Sequence, residues 1–256
     1  MSDGSFSRKL RSELEALLGR VDGASGPAAF RERLRALRER FERALEDGTH
    51  LAAIHAYRAR GSATLSRELA EALLAPGEAD ESSALARWSR TNQWLDGLSL
   101  AQTLSLPGLR TIQARLTGEV MGDRREELLL DGEPLLAVAE IPAALEEIRR
   151  VLLGPVLEER APERRLAFAV EILSALSYVH PFSDANGRTL RLACDALLLD
   201  SGLPPMSFVQ GRDAYFIGWF EEVEGDPSAR ADTLLERALS AMERTVEILE
   251  RGEPCR

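Results

Sequence analysis

A histidine, an aspartate, an Ala-Asn-Gly turn and two arginines fall within twelve consecutive residues, His180-Pro-Phe-Ser-Asp-Ala-Asn-Gly-Arg-Thr-Leu-Arg191. Each residue type brings a separate piece of chemistry. An imidazole with an ordinary pKa of about 6.5 takes a proton from a hydroxyl near neutral pH, which makes His180 the candidate general base. Asp184 is a hard oxygen ligand of the kind Mg²⁺ uses when substrate phosphates complete its coordination. His180 ends one apolar helical pattern and Arg188 starts the next, so 181–187 reads as a loop entering a helix N-terminus. There, unpaired N–H groups and the helix dipole favour an anion. Gly187 permits backbone conformations closed to other residues, so that successive N–H groups can wrap a phosphate. Asn186 tolerates left-handed geometry and adds a side-chain donor. Arg188 and Arg191, three apart, share a helix face and can hold further phosphate oxygens in fork geometry. Clamp, metal ligand and base together specify nucleotidyl or phosphoryl transfer to a hydroxyl. The competing reading is a loop that joins two helices and carries a local Asp184–Arg188 ion pair. The full set of residues at this spacing, between two apolar helices, weighs against it.

The elements that must position these residues are helical. Apolar residues recur at helix spacing over 7–19, through Leu10, Leu14, Leu17 and Leu18, and over 28–46, through Phe30, Leu34, Leu37 and Phe41. Short helices fit 49–59 and 65–74, and a long one fits 84–104. A turn at Ser105–Gly108 leads to a helix over 109–117. Pro142 and Pro162 sit at N1 positions of helices that run to Leu153 and Val179. Helices over 188–201, closed by Gly202, over 212–222 and over 229–251 complete the chain. Residues 118–134 lose the helical period, and 127–138 is the one stretch with strand character. The class is therefore all-α, a helical bundle with one small β-hairpin. The polar run at 75–83 is the best boundary: it separates an N-terminal helical region, 1–75, from a core over 84–225, with a C-terminal helix over 226–256 packing on that core.

Bulk properties narrow the function. The chain has 256 residues and a net charge of −10, which argues against general nucleic-acid binding because phosphate contacts need clustered cations. The six arginines of 28–46 alternate with glutamates and read as a solvated, salt-bridged face. His50 and His55, five apart, do not share a helix face and read as structural or surface residues. Cys194 and Cys255 make neither a metal spacing nor a disulfide framework, and Cys194 falls in an apolar pattern as a small core residue. With no apolar leader and no run near the ~18 residues of a membrane span, the expectation is a soluble, cytoplasmic protein. Ser2, Ser5 and Ser7 leave secretion as an effector open.

The motif resembles the signature of the Fic family, His-Pro-Phe-x-Asp/Glu-Gly-Asn-Gly-Arg-x-x-Arg, with Ala185 in place of the first glycine. A looser resemblance covers about 84–225. Leu128–Ile141 is similar to the family's flap hairpin, which docks a target-protein segment. Gly122-Asp-Arg124, Arg212-Asp-Ala-Tyr215 and Glu224-Gly-Asp226 are similar to its flanking landmarks. The resemblance implies a Fic-like helical bundle that transfers AMP from ATP to a Ser, Thr or Tyr hydroxyl of a protein. It implies His180 as general base, Asp184 as Mg²⁺ ligand, Asn186 and Gly187 as phosphate cradle, and Arg188 and Arg191 on the outer phosphates. Tyr215 would help line the base pocket. Ala185 removes backbone freedom from the cradle, and Val223 stands where some members place a polar residue facing adenine. Thr64-Leu-Ser-Arg-Glu68 resembles the family's inhibitory helix, Ser/Thr-x-x-x-Glu-Gly/Asn, up to Leu69. That would set Glu68 against Arg191; a separate inhibitor protein or none are the alternatives. For the activity, the alternatives are another phosphate-containing donor, a small-molecule acceptor, or a non-catalytic nucleotide-binding or toxin–antitoxin type module.

Overall fold

The computed structural model describes residues 3–22, 28–46, 84–119, 122–130, 133–206 and 227–251. Helices α1 (Asp3–Asp22), α2 (Ala28–Glu46), α3 (Ala84–Leu95), α4 (Leu100–Thr103) and α5 (Leu106–Thr117) precede a minimal ladder, β1 (Leu129–Leu130) and β2 (Glu133–Pro134). The ladder is antiparallel, with Leu129 opposite Pro134 and Leu130 opposite Glu133. After a 3-10 turn at Val138–Glu140 come α6 (Ile141–Ile148), a π-helical segment Arg149–Leu153, α7 (Gly154–Glu158), α8 (Pro162–Val179), α9 (Asn186–Asp200) and α10 (Pro227–Arg251). The helices expected at 49–59, 65–74 and 212–222 lie outside the described residues, as do the boundary at 75–83, His50, His55 and Cys255.

Helix α8 is the axis of the bundle. Its entry is fixed by Pro162 in the first turn after an extended Ala161, with Glu163 beside the helix N-terminus. Every residue from Arg165 to Ser177 is buried, the pattern of a helix wrapped on all sides rather than laid on a surface. Helix α9 packs along one side of α8 and α1 along another, α5 covers α9, and α10 lies against α1 and α2. Leu166, Val170 and Leu176 are fully enclosed, and burial of each such side chain stabilises the bundle by roughly 1.5–3 kcal/mol. Cys194 on α9 is enclosed too, which pushes its thiol pKa far up and leaves it the core residue its apolar setting implied.

The arginines of α2 reach across to α10. Arg33 pairs with Glu236 (2.7 Å) and Glu243 (2.8 Å), and Arg40 with Glu250 (2.6 Å), while Arg38–Glu42 (3.8 Å) stays within the helix. These pairs are solvent-exposed, worth about 0.2–1 kcal/mol each. They set the pairing of α2 with α10, and the stripe Phe30, Leu34, Leu37 and Phe41 supplies the packing.

Three local expectations are corrected. The long helix over 84–104 stops at Leu95. Ser99 opens α4 with a capping box, its hydroxyl accepting from the Gln102 N–H while Gln102 Oε1 accepts from the Ser99 N–H (2.9 Å). Helix α5 starts three residues before the expected 109, because Ser105 accepts from Gly108 N–H (3.0 Å) and Pro107 sits in the first turn. A Cβ on Gly108 would lie 2.0 Å from the Gln102 carbonyl, so glycine is what lets α5 fold back on α4. The helix from Pro142 to Leu153 is not uniformly α: Arg149–Leu153 is π-helical, and the following Pro155 lacks the N–H an α-ladder would need there.

Candidate active site

The motif is the junction between α8 and α9. The last turn of α8 closes with the His180 N–H donating to the Leu176 carbonyl (2.9 Å), and His180 itself takes a left-handed conformation, φ 47 and ψ 61. The chain then turns in 181–185 and re-enters a helix at Asn186. Phe182 is buried and anchors the loop in the core. The loop is also held from outside. Asp123 and Phe182 form an antiparallel bridge, Arg124 N–H donates to the Pro181 carbonyl (2.9 Å), and Ser183 N–H and Oγ–H both donate to the Gly122 carbonyl (3.4 and 3.3 Å).

His180 is half-buried. Burial pulls its imidazole below the ordinary 6.5; a hydrogen bond with the Ser177 backbone opposes this, the Arg124 charge adds to it, and the Asp184 carboxylate opposes it. That direction favours the neutral ring near pH 7, the form able to accept a proton. Asp184 stands at the exposed edge of the loop. One of its oxygens accepts from the Ala185 N–H, and Arg188 Nη2 reaches both at 3.5 and 3.3 Å. The local Asp184–Arg188 pair of the competing reading is thus present, but long. It leaves the exposed carboxylate accessible to a cation. Among the described residues no group of three or more His, Cys, Asp or Glu could hold a metal unaided.

Two placements differ from the sequence expectation. The left-handed residue is not Gly187, which lies in the first turn of α9 without a positive φ, but Ala185, with φ 62 and ψ 16. An L-residue reaches that conformation at a cost of roughly 1–2 kcal/mol, and Ala185 bears it because its carbonyl receives the Thr189 N–H (2.9 Å) that starts α9. The Asn186 side chain is also spoken for. Its Oδ1 accepts from the Phe182 N–H (2.9 Å) and its Nδ2 donates to the Phe182 carbonyl (2.7 Å), which closes the loop into a ring. What Asn186 and Gly187 can offer a phosphate is therefore backbone N–H, at the mouth of a fifteen-residue helix that carries no side-chain N-cap. Arg188 and Arg191 stand on the first turns of that helix, Arg191 with its Nε–H on the Gly187 carbonyl (3.0 Å). Tyr215 and Glu68 lie outside the described residues.

The sequence pattern and this junction coincide with a known domain. The Fic/DOC family model matches residues 103–198. Those residues are a Fic/DOC-family domain. Its fold agrees with solved Fic structures: the Fic-1 fragment from C. elegans superposes with a TM-score of 0.59 at 18% identity, over 94% of this chain and 83% of that one. A Fic domain-containing signaling protein from Bacteroides thetaiotaomicron superposes at 0.53 and 16% identity, over 97% and 98%. Identities this low speak for the fold alone. In sequence, a protein adenylyltransferase Fic from Nematostella vectensis is 35% identical over 81 residues, 30% of this chain and 19% of that protein. A uridine 5'-monophosphate transferase from Xanthomonas campestris pv. campestris (strain 8004) is 52% identical over 40 residues, 16% and 8%. The chain thus matches less than a fifth of the length of either curated relative. Among the described residues no helix is long and apolar enough to cross a membrane.

Two residues that hold the junction around the Fic motif were missed by sequence reasoning. Arg124 was marked as a flanking landmark and proves to be a buried clamp on the junction, and Gln113 of α5, also buried, donates to the Asp184 carbonyl (3.5 Å). Hydropathy gives no signal for either, since both are polar residues whose partners are backbone carbonyls.

Proposed function

We propose that this Fic domain transfers a nucleoside monophosphate from a nucleoside triphosphate to a protein hydroxyl, with AMP from ATP to Ser, Thr or Tyr as the leading case. The observation that carries this reading is the juxtaposition of a neutral, half-buried His180 with the uncapped N-terminus of α9, separated by one tight loop. In the reaction the target hydroxyl oxygen attacks the α-phosphorus while His180 takes its proton. The bond from the α-phosphorus to the bridging oxygen breaks, and pyrophosphate leaves with the electron pair. The first-turn N–H groups of α9 hold the phosphates, and Arg188 and Arg191 take the outer ones. Mg²⁺ held by Asp184 and the phosphates would neutralise charge that builds on them. The exposed Leu129 on β1, 68% accessible where the neighbouring Leu135 and Leu136 are buried, suits the 128–141 hairpin to receive a target segment.

The match to a uridine 5'-monophosphate transferase favours a second reading in which the same site uses UTP. A small-molecule acceptor keeps the same chemistry, and a module that binds nucleotide without turnover does not. Labelled nucleotide separates them. With Mg²⁺ and lysate, label in the α-phosphate of ATP or UTP should reach a protein band and His180→Ala should abolish it. Label from the γ-phosphate alone would replace nucleotidyl transfer by phosphorylation. Restraint of the site by Glu68 facing Arg191 predicts stronger self-labelling in Glu68→Gly; unchanged labelling leaves an external inhibitor or none.

A further inference from the structure

Arg124 is 3% exposed, and it is bound almost wholly by backbone. Its Nε–H donates to the His180 carbonyl (3.0 Å) and Nη1 to the Glu126 carbonyl (2.8 Å), while Nη2 donates to the Leu136 carbonyl and to the Val179 carbonyl (3.3 Å). Its nearest carboxylate, Glu127, stands off at 3.9 Å on the exposed side. Burying a guanidinium is costly unless its donors are satisfied. Here they are satisfied by carbonyls from three places: the end of α8, the segment entering the hairpin and the segment leaving it. Val179 and His180 contribute carbonyls that the end of α8 leaves without helical partners, so the cation also sits against the negative pole of that helix.

The same side chain therefore ties the hairpin to the residue that breaks the helix. The Leu136 N–H adds to this by donating to the Tyr178 carbonyl (3.3 Å), and the Arg124 N–H holds Pro181. His180 is left-handed, a conformation a non-glycine residue keeps only when its surroundings over-determine it. The carbonyls on either side of its Cα are the ones that Arg124 grips.

We propose that Arg124 is the positioning residue of His180, its guanidinium clamping the carbonyls of Val179 and His180 and tying them to both arms of the hairpin, so that the imidazole is aimed at the mouth of α9. This rests on the reading of His180 as the base. Lysine cannot replace the clamp, because a single ammonium does not span four carbonyls in the planar fork of arginine, although it keeps the charge.

The test compares the wild-type chain, Arg124→Lys and Arg124→Met below their melting temperatures. The chain has three histidines, so imidazole NMR signals are few, and His180→Gln assigns the one that matters. The charged groups acting on that ring are Arg124 and Asp184. Arg124→Lys should move the His180 signal and slow self-labelling from ATP or UTP about 10- to 100-fold, with the half-saturating nucleotide concentration little changed. Arg124→Met should in addition raise the pH at which His180 titrates. Should Arg124→Met not fold, Arg124→Lys carries the test. A folded Arg124→Lys with the wild-type His180 signal and the wild-type rate overturns the proposal. If wild type labels nothing, the transfer reading fails, and the NMR comparison still decides the clamp: an unchanged His180 signal in Arg124→Lys overturns it.

Discussion

His180 and Ala185 bracket the motif loop as its two left-handed residues, at φ 47 and φ 62, and among the described residues no other non-glycine residue has a positive φ. The two stand at opposite boundaries: one ends α8, the other begins α9. The loop between them is short because each end reverses direction within one residue.

Ala185 is the one departure from the family signature, and its conformation is one that glycine adopts freely. Ala185→Gly should therefore relieve strain of roughly 1–2 kcal/mol, less the 0.4–1 kcal/mol or so that glycine's looser unfolded state takes back. The expected net effect is a small gain in stability with labelling activity kept. A denaturant midpoint lower than wild type would show that the left-handed geometry is not what the residue tolerates. Ala185→Val, β-branched at the same φ, should lose stability instead.

The Asn186 side chain is placed to hold the loop. Its two bonds to Phe182 are buried, and Asn186→Ala leaves an N–H and a carbonyl without partners at a cost of about 1–3 kcal/mol each. Asn186→Asp keeps the acceptor and loses the donor, so it should fall between alanine and wild type. Thermal unfolding ranks the three. Equal melting temperatures for alanine and wild type would return the amide to the phosphate.

The pH dependence follows from His180. Its folded pKa lies below 6.5, and the base works only when neutral, so the transfer rate should be level around pH 7. It should fall as the pH drops below 6.5 through the folded value. The stability effect has the same sign. Between the two values the unfolded chain binds a proton that the folded chain does not, so acid erodes stability there and the loss ends below the folded pKa. A rate profile whose acid limb is centred above 6.5 would contradict a desolvated His180.

Much of this arrangement was legible in the sequence because it is written in local signals. Pro162 marks the start of α8, Gly202 the close of α9, and the polar run between Val179 and Arg188 the junction. The break after Leu95 was present too, in the capping-box residues Ser99 and Gln102, but the apolar period carries across it. The rest depended on contacts between distant segments. Nothing local says that Ala185 rather than Gly187 turns left-handed, since the choice is set by where α9 must start against α8. Nothing local says that Arg124 is buried, because its partners Leu136, Val179 and His180 are brought to it by the fold. The cross-helix destinations of Arg33 and Arg40 follow from where α10 lies.

The intact mass of the protein after incubation with Mg²⁺ and ATP, and separately UTP, tests the central claim most directly. Wild type should gain one nucleoside monophosphate from its preferred triphosphate, and His180→Ala should gain nothing. A gain of one phosphate, no gain from ATP or UTP with the protein alone or with lysate, or the full gain in His180→Ala, would contradict His180-based nucleotidyl transfer.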